Sequence, residues 1–395
     1  MRHLLALGSP KSGSTQISPR YESLDIWRGV ACLMVLGNHA VTYPFEGRTG
    51  DSLAPVYVAM SEVAARLWMG VPIFFVISGY CISAAADSHR RKNLGVVRYF
   101  ARRFRRIFPP YWVVLATSAV LVGVGDVLLN GAIVRGSEFL RPWWFSGAQW
   151  FGSITLTELW RFHFFGGPKG LFLGHAWTLC YEEQFYAVCG LLLVLCPRRF
   201  FAGAALVTLG VAIVAAAGTA WHWPIDGFFF DGGWLQFAFG VELYRVLNYG
   251  DSLQRRLSLV AFMLVLLGTL SYGAALLAPV KNQPQQLFVA SAFAALAIVL
   301  RPMDSAIAGS TWLTPIRMCG VMCYSLYLVH LPVINLLRAG LVASGISQQA
   351  LVPVITLPLY GAVSIWLSWK FHLLIERRFM NSPVQTSGQM ALARQ

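Results

Sequence analysis

Two residues that could carry out acid–base and charge chemistry stand in a mostly apolar stretch near the N-terminus, Arg28 and His39. They are eleven positions apart, about three helical turns, so in a helix they share a face and lie about 16 Å apart along the axis. Ionisable residues inside a membrane helix are usually functional, and an imidazole can take up a proton near neutral pH. The spacing predicts Arg28 near the cytosolic surface and His39 past mid-membrane, both facing the same interior space. His39 is a candidate general base, with a hydrogen-bond partner between helices as the alternative.

A second apolar stretch contains two adjacent carboxylates, Glu182 and Glu183. Counted from the outer end of a spanning helix they lie about 11 Å deep, and His39 lies roughly 9 Å below the same boundary. We predict that Glu182 or Glu183 orients His39 or contacts the acceptor of a transferred group, with a tether between helices as the alternative. Aromatic and imidazole side chains in this region are candidates for substrate binding: Trp177, Tyr181, Tyr327 and His330.

Four arginines precede a further apolar stretch: Arg102, Arg103, Arg105 and Arg106. Such a cluster can fix topology and contact anionic lipid, or it can bind a polyanionic phosphate through paired guanidinium donors. A ligand that combines phosphates with a reactive thioester at its other end would connect this cluster, through Arg28, to His39. Coenzyme A has that form, so we predict acetyl-CoA or another acyl-CoA as donor, with His39 deprotonating the acceptor hydroxyl.

The elements that must position these residues are membrane helices. Of 395 residues 56% are apolar and 12% charged, with a mean hydropathy of +0.58, whereas globular proteins carry about 25% charged residues. Lys and Arg collect in cytosolic loops, which accounts for the net charge of +14 without a nucleic-acid partner. The seven cysteines form no CxxC pair or zinc spacing, so we predict neither a disulfide framework nor a metal site.

Segments of about 20 mostly apolar residues predict an all-α bundle of about ten transmembrane helices. The distribution of Lys and Arg favours both termini in the cytosol, with cytosolic tails at 1–23 and 380–395 around a transmembrane domain at 24–379. Between spans, 87–107 is expected to be a basic cytosolic linker and 130–174 a tryptophan-rich external segment. The ten predicted spans are 25–43, 66–86, 108–129, 175–196, 199–220, 228–247, 257–278, 286–303, 316–343 and 351–375.

In these residues the sequence resembles the integral-membrane acyltransferase family 3, from about Tyr21 to Phe379. The matching motifs are LDxxRG with an Arg-x10-His spacing at 24–39, GVxxFFxxSG at 70–79, RxxRIxPPY at 103–111, WTLxxEEQFY at 177–186 and YSLYLxH at 324–330. The resemblance implies transfer of acyl groups, commonly acetyl from acetyl-CoA, to hydroxyls of glycans, lipid-linked sugars, peptidoglycan or antibiotics. It also implies that Arg28 and His39 form the acyl-transfer pair and that Arg103 and Arg106 contact CoA.

We therefore expect a membrane O-acyltransferase in a bacterial inner membrane. Its donor would be acyl-CoA at the cytosolic side, and its acceptor a sugar hydroxyl of an exported or surface polysaccharide. Two alternatives stay open. One is an acyltransferase acting on a small cytosolic acceptor such as a macrolide or a lipid sugar. The other is a proton-coupled transporter or flippase in which His39 and the glutamates relay protons.

Overall fold

The computed structural model describes residues 21–42, 55–270, 283–344 and 352–380. Every regular element within these ranges is a helix, which confirms the all-α prediction. The predicted cytosolic tails, 1–23 and 380–395, fall almost entirely outside the described residues.

The α-helices are numbered in chain order through the described ranges. They are α1 (Leu24–Thr42), α2 (Pro55–Arg66), α3 (Gly70–Arg91), α4 (Val96–Leu128), α5 (Ala132–Gly136), α6 (Gly147–Thr155), α7 (Glu158–Phe165), α8 (Trp177–Leu195), α9 (Phe200–Trp221), α10 (Gly233–Asn248), α11 (Ser252–Gly268), α12 (Gln283–Val299), α13 (Asp304–Gly309), α14 (Thr314–Val321), α15 (Cys323–Ala343), α16 (Val352–Phe371) and α17 (Arg377–Phe379). Short 3₁₀ turns join several of them, and a π turn at His372–Glu376 connects the last two.

Each predicted span overlaps at least one of these helices, although residues 271–278 of the span at 257–278 lie outside the described ranges. Five helical stretches in the described residues are long and apolar enough to cross a membrane, and a sixth qualifies if the bent pair of α12 and α13 is one span. Helix α9 illustrates why: it is apolar all round, yet few of its side chains are buried in protein. A helix with that surface is stable when lipid covers the remainder. The chain is therefore a multi-pass membrane protein.

Two details of the predicted organisation differ from the structure. Most of the expected linker at 87–107 is helical, because α3 continues to Arg91 and α4 begins at Val96. The predicted span at 316–343 is divided into α14 and α15 by Met322. The segment at 130–174, which the sequence predicts to be external, contains the short helices α5, α6 and α7.

A buried ion pair within α7 holds part of the segment at 130–174 in place. The guanidinium of Arg161 donates to both carboxylate oxygens of Glu158, at 2.7 and 3.0 Å, and the Gly170 amide donates to the same carboxylate at 3.0 Å. The hydrogen bond to Glu158 raises the pKa of Arg161. This contact fixes the loop that leads into α8.

Glycines allow two helix pairs to pack backbone to backbone. A Cβ built on Gly79 of α3 would lie 2.1 Å from the Phe237 carbonyl oxygen, and one on Gly240 of α10 would lie 1.9 Å from that of Val76. Small residues at such crossings let membrane helices approach closely. Helices α3 and α10 therefore form one rigid pair, and α1 and α14 form another through Gly29 and Gly320.

The start of α1 is held by Asp304, which lies 281 positions after Ser23 in the chain. The buried carboxylate of Asp304 accepts hydrogen bonds from the Ser23 amide at 2.9 Å, the Ser23 hydroxyl at 2.7 Å and the Glu22 amide at 2.8 Å. These bonds satisfy donors that a helix N-terminus leaves unpaired. They set the position of α1, and with it Arg28 and His39.

Candidate active site

An interior cavity of about 130 Å³ lies among α1, α3, α4, α8 and α15. We call it the arginine cavity, because Arg28, Arg103 and Arg106 line it. The structure thus brings together three of the five arginines that the sequence predicts to bind a cofactor. The remaining polar and aromatic lining includes Ser78, Thr178, Glu182, Tyr186, Tyr324 and Tyr327.

The spacing on α4 decides which arginines reach the cavity. Arg103 and Arg106 are three positions apart, so they share one face of the helix. Arg105 is exposed and donates to the Arg378 carbonyl at 3.1 Å, and neither it nor Arg102 lines the cavity. The arginine cavity therefore receives two of the four clustered arginines.

Arg28 joins them from α1. Its guanidinium donates to Asp25 at 2.8 Å and lies 2.8 Å from the Cys81 sulfur of α3. Three guanidinium groups against two carboxylates, Glu182 in the lining and Asp25 beside Arg28, leave this part of the cavity with an excess of positive charge. Such a concave positive surface attracts phosphates.

The two adjacent glutamates have different surroundings. The Tyr186 hydroxyl donates to Glu182 at 2.7 Å, and the Arg103 guanidinium lies 5.6 Å from the Tyr186 ring centre. Glu183 does not line the cavity, and its Oε1 is buried without a hydrogen-bond partner in the described ranges. Glu182 is therefore the carboxylate placed to balance the arginines.

His39 and His330 form a hydrogen-bonded pair. Nδ1 of His39 lies 2.8 Å from Nε2 of His330, and Nδ1 of His330 lies 2.9 Å from the Leu326 carbonyl oxygen. A carbonyl oxygen can only accept, so Nδ1 of a neutral His330 carries the proton and its Nε2 accepts from Nδ1–H of His39. In a neutral His39 the lone pair then lies on Nε2. His330 thus occupies the orienting position for which the sequence suggested a glutamate.

The arginine cavity ends just before this histidine pair. Val35 and Tyr327 line its inner end, four positions before His39 and three before His330. That separation is about one helical turn, or roughly 5 Å along each axis. Tyr327 is held there by two hydrogen bonds: it donates to the His175 carbonyl at 2.5 Å and accepts from Thr178 at 2.9 Å.

A third imidazole, that of His175, lies beside the histidine pair and was not among the predicted site residues. His175 is 5% exposed, its ring centre is 5.4 Å from that of His330, and neither ring nitrogen has a hydrogen-bond partner among the described residues. It stands in the turn before α8, where no helical periodicity marks it. The sequence could have indicated it, because His175 lies at the outer end of the predicted span that also carries Glu182 and Glu183.

The remaining candidates, Trp177 and Tyr181, lie on a neighbouring face of α8. They line a second cavity of about 250 Å³ rather than the arginine cavity, and Phe75 is common to both. In the described ranges no group of three or more His, Cys, Asp or Glu side chains is placed to hold a metal ion.

Comparison with known proteins identifies the family of the chain. The family description "Acyltransferase domain" matches residues 21–373. The putative membrane-bound transacylase BcsY of Komagataeibacter xylinus is 27% identical over 306 residues, which cover 73% of this chain and 71% of that protein.

Two further relatives match over shorter regions. The exopolysaccharide production protein ExoZ of Rhizobium meliloti is 33% identical over 30% of this chain and 32% of its own length. The peptidoglycan O-acetyltransferase OatA of Listeria monocytogenes is 32% identical over 31% of this chain and 19% of its own length. The matches thus span about a third or less of those two proteins.

No solved structure gives a significant match. The family match covers all the helices that form the arginine cavity and both members of the histidine pair. The chain therefore belongs to the acyltransferase family, and it is a multi-pass membrane enzyme of the O-acyltransferase type.

Proposed function

We propose that this enzyme transfers an acyl group, most simply acetyl, from acyl-CoA to a sugar hydroxyl of an exported or surface polysaccharide. In this proposal about ten helices span a bacterial inner membrane, with both termini in the cytosol. The observation that carries it is the arginine cavity, which begins at three guanidinium groups and ends one helical turn from the histidine pair.

The form of the cavity suits a carrier with two unlike ends. Arg103 and Arg106 lie near the start of α4, beside its arginine-rich first turns, where the phosphates of CoA would remain. The cavity volume of about 130 Å³ has room for a slender chain rather than a nucleotide. The pantetheine arm would therefore enter and carry the thioester towards His39.

The transfer step uses the lone pair on Nε2 of His39. This nitrogen takes the proton of the acceptor hydroxyl while the oxygen attacks the thioester carbonyl carbon. The tetrahedral intermediate then expels the CoA sulfur, which receives the proton from His39 as the new ester forms. His330 accepts from Nδ1–H of His39 throughout, which fixes the tautomer and stabilises the transient imidazolium, as a carboxylate does in hydrolase triads.

The acceptor class follows from the relatives. Their names include exopolysaccharide production and peptidoglycan O-acetylation, both of which concern polymers outside the cytosol. His39 lies in the half of α1 away from Arg28, and in the proposed topology this half faces the external side. An exported glycan is therefore the acceptor that best fits this position.

The test is a transfer assay in proteoliposomes. Labelled acetyl-CoA is supplied to the side that exposes Arg105, polysaccharide from the host is supplied to the other side, and label on the polysaccharide is measured. The wild type should transfer label, whereas His39→Ala should lose roughly 100-fold or more of the rate. His222→Asn is the matched control, because His222 is exposed at a positive φ of 53°, which Asn tolerates.

Other outcomes would favour the alternatives. Label on a small acceptor supplied with the acetyl-CoA, with none on the polysaccharide, would indicate an enzyme acting on cytosolic acceptors. Movement of a substrate across the membrane without consumption of acetyl-CoA would indicate a transporter. Full transfer by His39→Ala would remove the proposed base.

A further inference from the structure

The second cavity lies beside the arginine cavity and shares the Phe75 side chain as a wall. We call it the tryptophan cavity, after Trp177. Lys169 from the loop before α8 and Asp226 from the loop before α10 also line it. It therefore lies at the end of the molecule that the proposed topology assigns to the exterior.

Two fixed aromatic rings form part of its wall. The rings of Trp177 and Tyr181 are perpendicular with centres 6.0 Å apart, and both meet Phe75 edge-on. The Tyr181 hydroxyl donates to the Asp231 carboxylate, so the ring is held in place. Gly233 makes room for it, because a Cβ there would lie 2.9 Å from the Tyr181 ring. Rigid aromatic faces of this kind pack against the C–H surfaces of a ligand.

Two glutamines that line the polar wall each have a buried side-chain oxygen with no hydrogen-bond donor in the described residues. Gln236 is 1% exposed, its Nε2 donates to Gln286 at 2.6 Å, and its Oε1 has no hydrogen-bond partner in the described residues. The Oε1 of Gln283 is likewise buried and unpartnered within those ranges. A carbonyl oxygen only accepts, so a ligand that satisfies these atoms must donate hydrogen bonds, as hydroxyl groups do. Leaving buried acceptors unpaired is unfavourable, so occupancy by such a ligand is stabilising.

The charges at this site do not select an ion. The Lys169 ammonium lies 3.0 Å from the Asp226 carboxylate, and both side chains are substantially exposed. The pair neutralises itself, so the lining of this cavity carries no net charge that would attract an ion. Aromatic faces combined with unpaired acceptors and no net charge match a neutral polyhydroxylated ligand, that is, a sugar.

We propose that the tryptophan cavity binds one non-reacting sugar unit of the acceptor chain while an adjacent unit presents its hydroxyl to His39. This inference rests on the proposed function and assigns a place to its acceptor. Contacts to a remote unit can position the reacting unit, so their loss raises the acceptor concentration that the enzyme needs. Phe75, which borders both cavities, separates the held unit from the thioester.

The experiment measures binding and transfer separately. Fragments of the host polysaccharide, one to four sugars long, are titrated against detergent-solubilised protein without acyl-CoA, and then used as acceptors with acetyl-CoA. For the wild type, fragments of two or more units should bind and react better than single sugars. Gln236→Leu and Trp177→Ala should weaken fragment binding about tenfold and remove the preference for longer fragments. The KM for acetyl-CoA should stay within about twofold, because neither residue lines the arginine cavity.

Two controls separate a lost contact from a lost fold. Trp177→Phe keeps an aromatic face and should recover part of the binding. Trp223→Ala removes a tryptophan that is 47% exposed in the loop before α10 and outside the cavity, and it should behave as the wild type. Fragment binding that is equal in the wild type, Gln236→Leu and Trp177→Ala would overturn the sugar site. Normal fragment binding without any transfer would retain the site and overturn the proposed acylation of the glycan.

Discussion

At the scale of single residues, the pair of His39 and His330 is the proposed site of proton transfer. His330 is 2% exposed and is fixed by the Leu326 carbonyl, so its Nε2 points at His39 as an acceptor. A hydrogen bond to Nδ1 of His39 orients that ring and assigns its tautomer. A neutral partner of this kind removes the need to bury an ionised carboxylate beside the base.

Substitution of His330 tests this positioning role. We expect His330→Ala to lower kcat roughly 10- to 100-fold while the KM for acyl-CoA stays unchanged, because the base loses its orientation but the donor site is intact. His330→Gln should recover part of the loss, since its Oε1 can accept from Nδ1–H of His39. The measurement is steady-state transfer with both substrates varied. Equal rates for His330→Ala and His330→Gln would contradict a hydrogen-bonding role.

The arginines on α4 give a second test at this scale. Replacing Arg103 and Arg106 together with Ala should raise the Kd for acyl-CoA at least about tenfold, because two charge-assisted contacts to phosphate are removed. The matched control is Arg102→Ala with Arg105→Ala, which removes the same charge from the same helix but from outside the cavity. Equal weakening by both double variants, measured by equilibrium binding, would indicate a general effect of net charge rather than a site.

At the scale of helices, the site depends on backbone contacts that bring α1 against α14. A Cβ on Gly29 would lie 2.0 Å from the Ile316 carbonyl oxygen, and one on Gly320 would lie 1.6 Å from that of Asp25. Asp25 is the residue that holds Arg28, so the same contact sets the position of a cavity arginine. Backbone atoms cannot rotate away as a side chain can, so any larger residue must separate the helices.

We therefore expect Gly29→Val to destabilise the protein by ~1–3 kcal/mol or more, seen as a lower Tm in detergent, and to reduce transfer. Gly210→Val is the control, because nothing lies within 4 Å of a Cβ at Gly210 on α9. The control should keep the wild-type Tm. A Gly29→Val protein with unchanged Tm and activity would show that α1 and α14 need not pack this closely.

The long apolar helices were predictable from the sequence, because each needs only a run of apolar residues that is local in the chain. The shared face of Arg103 and Arg106 follows equally from their spacing. The partner of His39 could not be predicted in this way, since His330 is 291 positions away and no local sequence pattern indicates that contact. The proposed role of Gln236 could not be predicted for the same reason. Its side chain lines a cavity with Trp177 and Tyr181 of another helix only in the folded protein.

At the scale of the whole molecule, a cluster of charged and tyrosine side chains connects the C-terminal end of α3 to its neighbours. Asp87, nearly fully buried, pairs with Arg90 at 2.7 Å and accepts from the Tyr249 hydroxyl at 2.6 Å and the Tyr244 hydroxyl at 3.0 Å. This cluster ties α3 to the turn between α10 and α11. The Lys169–Asp226 pair and the tryptophan cavity lie at the loops leading into α8 and α10, which the proposed topology places outside.

The topology can be read with single added cysteines. Phe165 is 76% exposed in the external segment, and Trp312 is 91% exposed between α13 and α14. We expect Phe165→Cys to react with a membrane-impermeant maleimide in intact cells and Trp312→Cys to react only after permeabilisation, because Lys and Arg mark the second side as cytosolic. The unaltered chain, whose cysteines all lie in apolar stretches, is the background control. The reverse labelling pattern would show the opposite orientation, with the acyl-CoA site on the outside.

The most direct measurement of the central claim is photolabelling with an acyl-CoA that carries a diazirine on its acyl group. If the thioester passes from the arginines to the histidine pair, adducts should map to the inner end of the arginine cavity, at Val35, Thr178 and Tyr327. Unlabelled acyl-CoA should compete, and the Arg103→Ala, Arg106→Ala double variant should lose the adducts. Labelling confined to lipid-facing helices such as α9, or unchanged by competitor and double variant, would contradict the account.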